Sequence, residues 1–129
     1  MSLISGENVD YPYTFCKLFL GNEKIVDASQ FTLSASNISK WCYANMFKDC
    51  TNLSAAPSAL PAETLKEWCY QGMFAGCGNL KTAPILPATT LAKYCYYAMF
   101  YNCPSLTLAP DLEAKTLTDW CYNSMFFNC

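Results

Sequence analysis

The sequence contains no arginine and no histidine, and only 14% of its 129 residues are charged. A soluble domain ordinarily carries about 25% charged residues. Without arginine or a basic cluster there is nothing to track a phosphate backbone, so nucleic acid is excluded as a partner. The missing histidine removes the commonest general base and the commonest zinc ligand. No Cys-x-x-Cys pair occurs, which sets aside thioredoxin-like redox chemistry. No apolar run is long enough to cross a membrane as a helix, so no membrane insertion is expected. The opening Met1-Ser2-Leu3-Ile4-Ser5-Gly6-Glu7 has neither a basic start nor an apolar stretch and is no signal peptide; Met1 to Leu3 read as a cloning remnant. The ten acidic residues are scattered, with Glu63, Glu67, Asp111, Glu113 and Asp119 on polar positions. No carboxylate pair for acid–base chemistry emerges, and no enzyme, cofactor or metal site is expected.

What the chain has in excess is apolar and aromatic: 53% hydrophobic residues, 16% aromatic, and nine cysteines. They recur in step. Trp41, Trp68 and Tyr94 each open a segment of the form [WY]-C-Y-x-x-M-F-x-x-C-x-x-L-x-x-A-P, and Trp120 opens its first ten residues. The starts at 41, 68, 94 and 120 are separated by 27, 26 and 26 residues, with the extra residue falling in Ser58-Ala59-Leu60. Such a period marks stacked supersecondary units. The array spans 37–129 and its last unit is incomplete.

Within a unit, Leu65, Trp68, Cys69, Gly72 and Met73 share one face of a helical wheel, while Lys66, Glu67 and Gln71 fall outside it. Thr64, Thr90 and Thr116 precede the conserved-spacing leucine, where a hydroxyl caps a helix. The Leu53–Pro57 stretch and its equivalents read as short strands stopped by proline. A strand and a helix in every unit predict an α/β solenoid, a right-handed coil with short parallel strands and short helices. Residues 1–36 read as an N-terminal cap built on a β-hairpin, with runs 13–20 and 25–33 either side of Gly21-Asn22-Glu23-Lys24.

The combination C-x-x-L-x-x-A-P with Met46-Phe47, Met73-Phe74, Met99-Phe100 and Met125-Phe126 resembles the leucine-rich repeats, and more closely the BspA-like class of bacterial surface repeats. The resemblance covers 37–129. It implies a leucine-rich-repeat-like coil, an extracellular or cell-surface location, and adhesion or recognition of a protein or glycan ligand. A spacer in a fibre or stalk, with no ligand, is the alternative. Two features depart from that class: the strand carries a proline, and no strand follows Cys129.

Candidate binding positions are those that vary from unit to unit: Lys81, Thr82, Ile85, Thr107, Leu108 and Asp111 on one side, Tyr101 and Phe127 on the rim. The cysteine columns, 42/69/95/121 and 50/77/103/129, read as packed thiols, with disulfides between neighbouring units as the other option. The tyrosines 43, 70, 96 and 122 read as a core column with hydroxyls reaching solvent. The open last unit predicts a homodimer through the C-terminal coil, by way of a strand edge at 106–109 and the flank of Trp120, Met125 and Phe126.

Overall fold

The computed structural model describes residues 8–129, so the reading of Met1 to Leu3 lies outside the described residues. The α/β solenoid does not form. Among the described residues there is no helix and no sheet; the only strand-like pairings are isolated parallel bridges. The chain instead winds through coils built from overlapping turns.

The segment 41–50 shows the rule. The amides of Cys42, Ala44, Met46, Lys48 and Cys50 donate to carbonyls three residues back, on Ser39, Trp41, Tyr43, Asn45 and Phe47, at 3.1–3.4 Å. The amides between them, on Trp41, Tyr43, Asn45, Phe47 and Asp49, donate to Glu67, Cys69, Gln71, Met73 and Ala75 of the next coil at 2.7–3.3 Å. Every backbone donor is therefore used, alternately within the turn and between coils. Trp41, Asn45 and Asp49 have φ of 60°, 55° and 60°. Each is the third residue of a turn (39–42, 43–46, 47–50), the place where a type II turn requires positive φ. A left-handed residue recurs every fourth position, and the residues that point inward recur likewise: Cys42 and Tyr43, Met46 and Phe47, then Cys50 are all buried.

The same ladder repeats at 68–77 and 94–103, its within-turn half at 120–129, and both halves of it also at 13–21, where the amides of Tyr13, Phe15, Lys17, Phe19 and Gly21 donate to Lys40, Cys42, Ala44, Met46 and Lys48. The hairpin read over 13–33 is thus replaced by a first coil of the same kind. Its signal was present as Tyr13-x-Phe15-x-x-x-Phe19, which has the spacing of Trp41-x-Tyr43-x-x-x-Phe47.

Side chains hold the coils at matching heights. Phe15, Tyr43, Tyr70, Tyr96 and Tyr122 form one stacked column with centroid spacings of 5.5–5.8 Å. Phe19, Phe47, Phe74, Phe100 and Phe126 form a second at 5.3–5.7 Å. The column from Tyr13 through Trp41, Trp68 and Tyr94 to Trp120 lies nearer the surface, and Trp120 is 54% exposed rather than core. Tyr43, Tyr70 and Tyr96 are 1% exposed, so burial extends over the whole side chain, and the Tyr43 hydroxyl has no partner among the described residues. A left-handed bulky residue costs about 1–2 kcal/mol. Stacked aromatic pairs return about 0.5–1.5 kcal/mol each beyond their burial.

Between ladders the C-x-x-L corner closes by an amide of Leu53, Leu80 or Leu106 on the carbonyl of Cys50, Cys77 or Cys103 at 3.0–3.1 Å. The chain then runs extended, with single parallel bridges Asp27–Ala55, Ala55–Thr82, Ala59–Ile85 and Thr64–Thr90. Pro57, Pro61, Pro84 and Pro87 interrupt these runs and withhold donors, which keeps the pairing from growing into strands. Thr64 and Thr90 consequently pair with each other across coils instead of capping helices, and residues 106–109 form no sheet edge.

Candidate functional site

The bridge series stops after the third coil. Residues 55–64 pair with 82–90, but no backbone bond joins 107–118 to 81–92; coil-to-coil bonding resumes only where Tyr94 donates to Asp119 at 3.2 Å. The gap is a groove of about 640 Å³ walled by 82–87 on one side and Leu108, Ala109, Pro110, Asp111 and Glu113 on the other. Its lining is mainly aliphatic and proline, without an aromatic ring. Ile85 is 67% and Leu108 75% exposed, so both side chains stand unused by the core. Asp111 and Glu113 supply the only charges.

The eight sequence candidates divide among separate surfaces. Thr82, Ile85, Leu108 and Asp111 meet in the groove. Thr107 is exposed beside it. Lys81 lines a different, shallow depression with Val26, Asn52, Ser54, Asn79 and Ser105. Tyr101 belongs to a polar cleft of about 540 Å³ with Asn45, Lys48, Asp49, Gln71 and Asn102, and its ring stacks on exposed Phe127 at 5.0 Å. Gly72 and Gly76 line the same cleft, and the Asn45 and Asp49 side chains of the preceding coil fill the space a Cβ would take there. Sequence reasoning missed Pro84, Pro87 and Pro110 as groove walls, although the recurrence of Pro57, Pro84 and Pro110 four residues after the corner leucine was visible.

The cysteines divide by column. All nine are free thiols, so no disulfide joins the coils. Cys50, Cys77, Cys103 and Cys129 each direct the thiol at a phenylalanine carbonyl of the preceding coil, on Phe19, Phe47, Phe74 and Phe100, at 3.0–3.1 Å. Burial pushes the Cys95 thiol up to about 11 and those of Cys42 and Cys103 up to about 12, while fully enclosed Cys69 is raised further. Such groups are protonated, inert packing elements rather than nucleophiles. Among the described residues no group of three histidine, cysteine or carboxylate side chains is placed to hold a metal ion. No helix of the described residues is long and apolar enough to cross a membrane. On the surface, Lys40 donates to Glu67 at 2.7 Å, and this bond holds the Glu67 carboxyl below its usual range.

Comparison with known protein families, with curated proteins and with solved structures finds no match for this chain.

Proposed function

We propose that the chain is a non-enzymatic recognition module and that its 82–87/108–113 groove takes an extended peptide carrying small apolar side chains and a lysine or arginine. The observation that carries this reading is the interruption of coil pairing, which leaves Ile85 and Leu108 exposed across an apolar cleft. Ligand sites are mostly apolar with a few placed polar groups. Here the apolar part is Pro84, Ile85, Pro87, Leu108 and Pro110, and Asp111 with Glu113 would receive the cation. The absence of an aromatic ring from the lining favours a peptide over a glycan, whose rings pack on aromatic faces. The setting, a bacterial surface or secreted protein engaged in adhesion, rests on the resemblance of the repeat motif to the BspA-like class.

Titration calorimetry against a panel of apolar–basic peptides tests the proposal. Binding should weaken at least about fivefold in Ile85→Asp and in Leu108→Asp, the scale of losing an interface anchor. The unfolding midpoint should hold, since both side chains lie outside the core. Binding of glycans alone, or peptide binding indifferent to both substitutions, contradicts the groove. The spacer reading is favoured by the ladders running unbroken through every coil, and a chain that binds neither class supports it.

A further inference from the structure

The two ends of the stack carry opposite halves of the same bonding pattern. In the coil at 94–103 the amides of Tyr94, Tyr96, Ala98, Phe100 and Asn102 donate to the next coil. Their equivalents at the carboxyl end, the amides of Trp120, Tyr122, Ser124, Phe126 and Asn128, have no acceptor among the described residues, although the interleaved amides of Cys121, Asn123, Met125, Phe127 and Cys129 are closed on their own turns. At the amino end the carbonyls of Pro12, Thr14, Cys16, Leu18 and Leu20 stand where Lys40, Cys42, Ala44, Met46 and Lys48 accept, and none receives a backbone bond among the described residues. Among the described residues, five spaced amides at one end and five carbonyls of the same spacing at the other have no backbone partner.

The side chains continue the same register. Carrying the stack forward one step would place Trp120 against Tyr13, Tyr122 against Phe15 and Phe126 against Phe19, the pairings already made by Trp68 with Tyr94 and by the two inner columns. Phe127 would meet Leu20, both exposed apolar residues. Asn128 would face Gly21, which has open space around it and a φ of 67°, reproducing the fit of Asp49 beside Gly76.

We propose that the 129-residue chain associates head to tail, the 120–129 coil of one copy seating against the 13–21 coil of the next. Two carboxyl ends would offer donors to donors, and two amino ends acceptors to acceptors, so neither like pair satisfies the rows. A head-to-tail contact is heterologous, and it extends into open oligomers unless its rotation closes a ring. The low net charge of −2 opposes growth only weakly.

Sedimentation velocity over a range of concentrations tests this with variants that block one end each. Leu18→Lys with Leu20→Lys alters the amino face, and Phe127→Lys the carboxyl face, so that an altered face meeting an altered face sets like charges together; all three side chains are 45–58% exposed, and near-ultraviolet circular dichroism checks that each variant keeps its packing. The unaltered chain should form a concentration-dependent series of dimers, trimers and larger species. Each variant alone should associate about thirtyfold more weakly, as expected for loss of a central anchor. An equal mixture of the two should form dimers and nothing larger, because only one competent junction exists between them. A chain that sediments as a monomer throughout overturns the proposal. So does an amino-face variant that dimerises like the unaltered chain, since that places two carboxyl faces together, or a mixture that stays monomeric.

Discussion

Replacing Tyr43 by phenylalanine should stabilise the protein. The hydroxyl is enclosed without a hydrogen-bond partner, in a side chain that is only 1% exposed. Leaving such a group unpaired costs about 1–3 kcal/mol. Removing it opens a space of roughly 10 Å³, a penalty of about 0.2 kcal/mol at the usual cost per unit of cavity volume. The ring contacts that matter, to Phe15 at 5.5 Å and Tyr70 at 5.7 Å, do not involve the oxygen. Phenylalanine already stands at the equivalent place in the first coil, as Phe15, so the column accepts it. The net gain should be about 1–2 kcal/mol. For a chain of this size that corresponds to a rise in Tm of roughly 3–8 °C. Paired urea and thermal unfolding of the two proteins, with an unchanged m-value, measures it. A Tyr43→Phe variant less stable than the parent by 1 kcal/mol or more would falsify the reasoning, by showing that the hydroxyl is satisfied in solution.

Other perturbations follow from the same packing. Met73→Ala empties a fully buried position between two coils and should cost about 2–5 kcal/mol in urea unfolding; a loss under 1 kcal/mol argues that the interior is loosely packed. Gly76→Ala, at φ 76° and against the Asp49 side chain, should cost about 1–2 kcal/mol, and a smaller amount when Asp49 is also alanine; equal costs in both backgrounds remove the steric part of that account. Native alkylation near pH 8, read by mass spectrometry, should mark no more than half-buried Cys16 and exposed Cys129, and modification of Cys69 or Cys95 in folded protein contradicts their enclosure. Because burial raises the folded pKa of Cys42, Cys95 and Cys103 from 9.0 to about 11–12, their contribution is fully present below pH 9 and is lost as the pH climbs through that window. Stability that stays flat from pH 8 to 11 runs against this.

The period of the chain was legible and the backbone that produces it was not. The leucines 53, 80 and 106 and the methionines 46, 73, 99 and 125 are buried, as their recurrence implies. The error lay between a period of 3.6 and a period of four. Inward residues at 42, 43, 46, 47 and 50 drift by only 40° per four residues on a helical wheel, too little to expose the difference within ten positions. What decides the matter is where the alternate amides go, and that depends on a neighbouring coil rather than on local pattern. The groove was half legible: Thr82, Ile85, Leu108 and Asp111 vary between units and do meet there. Lys81 and Tyr101 lie on other surfaces, because variability marks exposure without saying which exposed residues share a face.

The ladder also behaves as a reading frame. Successive coils begin at 13, 41, 68, 94 and 120, so their lengths differ by up to two residues, yet each ladder keeps the same alternation of donors. All the length variation is absorbed in the extended runs between ladders. One residue inserted after Phe47 would exchange the amides that close turns with those that reach the next coil, and would turn Cys50 outward. One inserted beside Ser58 changes nothing in the frame. Drift in length is thus channelled to the side of the molecule that bears the groove, where the contour can be altered without disturbing the stack beneath it.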